Sequence, residues 1–185
     1  DLARSNELMA TIQHPELGPL SMPTQPLILD ACPAELIRVA PKVGEHTRQV
    51  LAEAHVPASG SGQGGPPLAG TRAIDLASFI AGPVITRHLA MLGSDVIKVE
   101  PAEGDPFRTF SPMFNGWNQG KRAVTLDLKT QTDRDFLYRM ISDSDVVVEN
   151  FRPGVAERLG CSSAELRQIR PDVVLVKSPG YGADQ

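Results

Sequence analysis

One stretch restricts the fold of this chain more than any other: Ile74–Glu100, IDLASFIAGPVITRHLAMLGSDVIKVE. A strand candidate, Thr71–Leu76, leads through the small-residue turn Ala81-Gly82-Pro83 into Val84, Ile85, His88, Leu89 and Leu92, which recur at helical spacing. Pro83 suits a first helical turn, where its missing N–H has no intrahelical partner, and Gly93 suits the C-terminal cap. A second strand, Asp95–Val99, follows at once. Strand, helix and strand in this order form the crossover unit that joins parallel strands. The turn sits where such a unit presents backbone N–H groups to a ligand.

The pattern continues downstream. Ala123–Leu128 alternates, with Val124, Leu126 and Leu128 on one face, and Phe136, Leu137, Met140 and Ile141 form one stripe of a helix over Thr132–Ser142. Val146-Val147-Val148 is continuously apolar, the mark of a strand covered on both faces. Ser162 and Glu165 have the spacing of a capping box opening a helix to about Ile169, and Val173–Val176 reads as a last strand. Pro101–Gly120, rich in Pro, Gly, Asn and aromatics, reads as irregular. The expected fold is α/β: an open, mostly parallel, Rossmann-like sheet with helices on both faces.

Upstream the signals are weaker. Residues 1–54 suggest a weak helix around Ser5–Thr11, a turn at His14–Gly18, a short strand at Pro26–Leu29 and a helix over Thr47–Ala54, with no independent core. Residues 55–69, HVPASGSGQGGPPLA, lack any charged side chain and hold seven Gly or Pro, the composition of a flexible linker. The expected organisation is thus 1–54, a linker over 55–69, and an α/β unit over 70–185. The chain opens on Asp1 and stops shortly after Gly180-Tyr181-Gly182, which reads as a fragment.

Composition narrows the function classes. A net charge of −4 without a long run of one sign gives no nucleic-acid footprint. No apolar run approaches the roughly 20 residues that span a bilayer, and there is no signal peptide, so a cytoplasmic protein without membrane partners is expected. Cys32 and Cys161 are isolated, and no His lies at metal-ligand spacing, so no metal is expected. The first turn lacks G-x-G-x-x-G, which disfavours a nicotinamide dehydrogenase. Glu100, 25 residues after Asp75, stands near where a dinucleotide site keeps its ribose-binding acid, but reads better as a strand-end carboxylate facing water. Lys121 and Arg122 follow Asn118 in a Gly-containing turn, a solvated turn or a phosphate contact. With Lys129 and Arg158 they could converge on one anionic ligand having an aromatic or apolar part. Asn150 and Phe151 follow a doubly buried strand, at the carboxyl edge where open α/β sheets bind ligands.

Taken together, DLASFIAGP (Asp75–Pro83), LGSDVIKVEP (Leu92–Pro101), Gly104-Asp105, NQGKRAVTLDLK (Asn118–Lys129), DVVVENFRPG (Asp145–Gly154), Arg158-Leu159-Gly160 and Gly180-Tyr181-Gly182 resemble the N-terminal part of class III CoA-transferases. That is the CaiB/BaiF family, which includes formyl-CoA transferase and α-methylacyl-CoA racemase. HPELG (His14–Gly18) and APKVGEHTRQVLAE (Ala40–Glu53) resemble the C-terminal end of a member. Tail, linker, head is the order of a tandem fusion sampled at its junction, or of a permuted chain.

The resemblance implies a coenzyme A site at the carboxyl edge of the sheet. Phe79, Ile80 and Ala81 would line the thioester end, Leu126 and Lys129 would flank adenine and phosphates, Asn150 and Phe151 would contact the carrier, and Arg158 would bind phosphate. Ser78, Ile80 and Pro101 depart from members that carry His, Gln and Arg there. The implied reaction moves CoA between an acyl-CoA and a carboxylic acid through an aspartyl mixed anhydride. The family places that Asp beyond Gln185, so no catalytic residue and no turnover are expected of these 185 residues. A racemase-type isomerase and a non-catalytic CoA-binding module remain as alternatives. The family's interlocked dimers imply a dimer or internal pseudo-dimer for the full-length protein.

Overall fold

The structure, a computed structural model, describes residues 8–24, 38–53 and 65–180. Its centre is a sheet of β3 (Arg72–Asp75), β4 (Asp95–Glu100), β5 (Arg122–Thr125), β6 (Val146–Glu149) and β7 (Val174–Lys177) in the order β5-β4-β3-β6-β7. All four pairings are parallel. The helices between them are α2 (Ala81–Met91), α3 (Ser111–Asn118), α4 (Gln131–Ser142), α5 (Val155–Arg158) and α6 (Ser163–Ile169). The fold is thus the α/β sheet expected from the alternation.

Side-chain alternation along the strands divides the core. Ile74 pairs with Ile97 and Val147, and this row meets Leu137 and Ile141 of α4 on one face. Ala73, with Val96, points the other way and meets Ala90 of α2. Small residues there let α2 lie close. At its start a Cβ on Gly82 would stand 2.1 Å from that of Ala77, so only glycine permits this approach. The capping box at Ser162 and Glu165 is formed in both directions.

Two upstream elements differ from the sequence reading. Residues Met9–Thr11 are not helical: β1 (Met9–His14) and β2 (Gly18–Pro23) form an antiparallel hairpin. Its turn is fixed by His14 Nδ1, which accepts from the Glu16 and Leu17 amides, and by Gly18 at φ +72°. The cross-strand ladder outweighs the weak helical propensity of this segment. The hairpin docks on α2, where Arg87 donates to the Pro23 carbonyl. The strand expected at Pro26–Leu29, Cys32 and most of the expected linker lie outside the described residues. At the linker's far end, residues 66–69 form a turn against the end of α2, with the Leu68 amide donating to the Leu92 carbonyl.

The stretch Pro101–Gly120 is not irregular throughout. A 3-10 turn, Pro106–Thr109, is capped by Asp105, and α3 follows with a proline in its first turn. Gly116 and two Asn residues make α3 a poor helix by propensity, but burial of Phe114 beside Phe107 and Ala40 overrides that.

Residues 38–53 close the sheet at β5. The Gly120 amide donates to the Arg38 carbonyl and the His46 amide to the Ala123 carbonyl. The Ala123 and Thr125 amides donate to His46 Nδ1 and Thr47 Oγ1. An edge strand's outward amides are otherwise open to foreign strands. Helix α1 (Thr47–Ala52), two residues shorter than expected, then drops Val50 into the main core, where it is 5% exposed. Replacing Val50 with Ala is expected to lower stability by about 2 kcal/mol in chemical denaturation. Deleting residues 1–60 is expected to lower the melting temperature; an unchanged value would show that the segment is not part of the fold.

Candidate functional site

The order of strands reverses between β3 and β6, so the loops at their carboxyl ends diverge and leave a crevice. Two clefts open there. One, about 520 Å³, lies between Phe79-Ile80-Ala81, the loop Asn150–Pro153 and Ser178–Gly180. The other, about 380 Å³, lies over the ends of β3, β4 and β5, between Ala77-Ser78, the loop Pro101–Pro106 and Leu126–Lys129. Phe151 lines both and forms the wall they share.

Beneath the clefts lies a layer of buried charge. Asp75 and Lys121 have no exposure and pair at 2.8 Å. The Lys121 ammonium also donates to the Pro83 carbonyl and to Asn118 Oδ1, and Asp75 accepts from Thr86 Oγ1 and the Ala77 amide. Burial drives the Lys121 amine down to about 8 against the pull of Asp75. Burial opposes ionisation of Asp75 as well, but the two nearby lysines and the hydrogen bonds outweigh it and hold the carboxyl below its ordinary range. Beside this pair, Lys98 Nζ stands 2.9 Å from Asp105 Oδ2. Glu100 is paired with Arg108 at 2.6 Å and accepts from the Asp105 amide.

Several sequence expectations fail against this geometry. Glu100 does not face water; it is 1% exposed and holds the loop after β4. Lys121 is not in a solvated turn, and neither it nor Arg122 reaches the clefts. Arg122 points along the sheet edge to Glu53 and Asp95. The four cations therefore do not converge. Lys129 lines the smaller cleft, whereas Arg158 is exposed on α5 beside Leu159, which does line it. Phe79, Ile80 and Ala81 line the larger cleft with Asn150, and Leu126 lines the smaller. The Asn150 amide is occupied at both ends, accepting from the Ser78 amide at 2.9 Å and donating to the Ser78 carbonyl at 2.8 Å.

The residues that sequence reasoning missed are Lys98, Asp105 and Arg108. Lys98 offered a signal, a charge inside the apolar strand VIKVE, and Asp105 offered another, an Asp before a Pro-led turn. Among the described residues, no group of three or more His, Cys, Asp or Glu side chains is placed to hold a metal. None of the described helices is long and apolar enough to cross a membrane.

Similarity to known proteins extends over the α/β unit. The family model for CoA-transferase family III matches residues 68–185. The chain belongs to that family. It is 40% identical over 124 residues to acetyl-CoA:oxalate CoA-transferase of Acetobacter aceti, covering 63% of this chain and 32% of that protein. It is 37% identical over 123 residues to succinyl-CoA:mesaconate CoA-transferase of Haloarcula hispanica, covering 60% and 31%. The crystal structure of Rv3272 from Mycobacterium tuberculosis superposes with a TM-score of 0.61 at 36% identity, over 65% of this chain and 34% of that one. This chain thus spans about a third of the length of the curated relatives it matches.

Within the family III sheet, Asp75 and Lys121 tie the first strand to the third. Removing one partner of a buried pair leaves an uncompensated charge, so Lys121→Met is expected to cost about 3–5 kcal/mol in denaturant titration. The Asp75 carboxyl is lower in the folded than in the unfolded chain. Its contribution is therefore present above the unfolded value, near 4, and is lost as pH falls through the folded value. Acid unfolding of Asp75→Asn should be correspondingly shallower on that limb.

Proposed function

We propose that this chain supplies the CoA-binding surface of an enzyme that moves CoA between an acyl-CoA thioester and a carboxylic acid. The observation that carries this reading is the pair of clefts meeting at Phe151, at the switch point of a family III sheet. Phe79 and Ile80 give the larger cleft an exposed apolar lip next to the exposed Arg152, and Lys129 gives the smaller an exposed cation. CoA has a neutral pantetheine arm at its thiol end and phosphates at the other, so it can meet both kinds of lining. In this reading Phe79, Ile80 and Ala81 bound the thioester, Phe151 packs on the arm, and Leu126 and Lys129 receive adenine and phosphate. Arg158 adds phosphate contact from its exposed position on α5. Asn150 acts by fixing Ser78. Relatives whose names pair a CoA thioester with a carboxylate support the acceptor class.

The chemistry we assign to the whole enzyme starts with an Asp carboxylate attacking the thioester carbonyl. The C–S bond breaks, CoA leaves as thiolate and a mixed anhydride forms; the thiolate then attacks the aspartyl carbonyl, expelling the donor acid as carboxylate and leaving an aspartyl-CoA thioester. The acceptor carboxylate attacks that thioester, expelling CoA thiolate and forming a second anhydride, and the thiolate takes the acceptor acyl group from it, which frees the Asp carboxylate. Two of the four carboxylates lining the smaller cleft, Glu100 and Asp105, suit this poorly, since they are buried in ion pairs. We place the nucleophile outside these 185 residues. We also read residues 1–54 as the closing segment of a family copy, a reading supported by the way 38–53 complete the edge at β5.

Calorimetric titration of the 185-residue chain should detect CoA binding and no comparable NAD binding. Lys129→Ala and Phe151→Ala should each weaken CoA about tenfold, the loss of one good contact. A chain that binds no CoA overturns the reading, and acyl transfer by the purified chain overturns the placement of the nucleophile.

A further inference from the structure

Phe79 has φ +64°, the one positive value at a non-glycine position among the described residues. That conformation brings Cβ against the following carbonyl and is costly for a bulky side chain. Strain of this kind persists only where the surroundings over-determine it. Here three consecutive residues are tied down by side chains from other elements. Lys98 Nζ donates to the Ala77 carbonyl at 2.7 Å. Asn150 takes both the amide and the carbonyl of Ser78. Asp105 Oδ1 accepts from the Phe79 amide at 3.4 Å and from the Phe107 amide at 2.9 Å. The Phe79 ring leans on Phe107, with centroids 5.9 Å apart, so one carboxylate fixes both the strained residue and its support.

The outcome is unusual for a surface loop. Phe79 and Ile80 are 50% and 44% exposed, held outward at the lip of the larger cleft. The groups that hold them are the opposite: the Lys98 and Asp105 side chains are each 1% exposed and are paired with one another. Burying two charges is expensive, and well-packed apolar residues would serve stability as well. What an apolar pair lacks is direction: an ammonium bridging Ala77 and Asp105 sets where the backbone runs.

We propose that Lys98 and Asp105 are positioning residues that hold Phe79 in its left-handed conformation, so that Phe79 and Ile80 stand preformed as the apolar wall for the ligand's uncharged arm. The identity of that arm as pantetheine rests on the CoA reading above; the positioning does not. A binding-competent loop populated only in part weakens apparent affinity by that fraction.

The test is Asp105→Asn in the 185-residue chain, read by CoA titration and by hydrogen exchange. The variant keeps shape and an acceptor but no charge for Lys98. CoA affinity should fall about tenfold, and the Ser78 and Phe79 amides should exchange faster while those of β4 do not change. In a Phe79→Gly background, where φ +64° carries no penalty, the same substitution should cost at most about twofold, within ordinary additivity. Equal losses in both backgrounds, or unchanged exchange at Phe79, overturn the proposal. If the starting chain binds no CoA, the functional reading fails and the exchange result alone decides the positioning. Should Asp105→Asn not fold, Lys98→Gln with Asp105→Asn removes both charges and should give the same loss.

Discussion

The Asp75–Lys121 ion pair is where the elements of the fold meet. Asp75 ends the first strand of the parallel sheet, and Lys121 immediately precedes β5, two strands away. The Lys121 ammonium has three donors and three acceptors, one each from β3, the start of α2 and the end of α3. A buried ammonium is tolerable only when satisfied to this degree. The geometry leaves no freedom in how the crossover helix enters or how α3 returns the chain to the sheet. It therefore also fixes the place where the strands diverge, which is where the clefts open. Hydrophobic burial alone would bring these layers together without specifying that register.

The second constraint acts at the edge of the sheet. A parallel sheet that ends at β5 needs something to take its outward amides and cover its face. Residues 38–53 do both, through His46, Thr47 and the apolar side chain of Val50. Beyond α1, Glu53 pairs with Arg122 and Arg72, which are themselves joined through Asp95. The segment is thus locked by directional contacts at both ends, with an apolar anchor between them. This explains how a stretch without a core of its own adopts a definite structure: it contributes Val50, and Leu51 in part, to a core built elsewhere.

Much of the sheet was legible because parallel strands covered on both faces are short apolar runs, the form of Val146–Val148, and because strand candidates such as Asp95–Val99 alternate with helical patterns. Helices were legible where caps and stripes agreed, as at Ser162 and in α4. The helix α3 was hidden because its sequence, SPMFNGWN, opposes helix formation locally and is stabilised by aromatic packing at a distance. The hairpin was hidden because strand pairing is not a local property. At the site, the lining residues were legible from their position at strand ends. The roles of the cations were not, because sequence does not reveal which way a side chain points. Lys121 and Lys129 lie on either side of the same strand, yet one is sealed below the sheet edge and the other is exposed at a cleft.

That separation divides the cations of the fold between the interior and the clefts. Charge inside the fold is used to shape the backbone: Lys98, Lys121 and Arg108 each neutralise a buried carboxylate and set a loop. An internal ammonium is shielded from bulk ions, so its structural effect is little changed by salt, whereas contacts through Lys129 at the surface are screened. For the proposed CoA site, this distribution favours binding through apolar walls and loops with a smaller ionic part. Placing most of the charge beneath the site makes shape, rather than net attraction, the means of selecting what enters it.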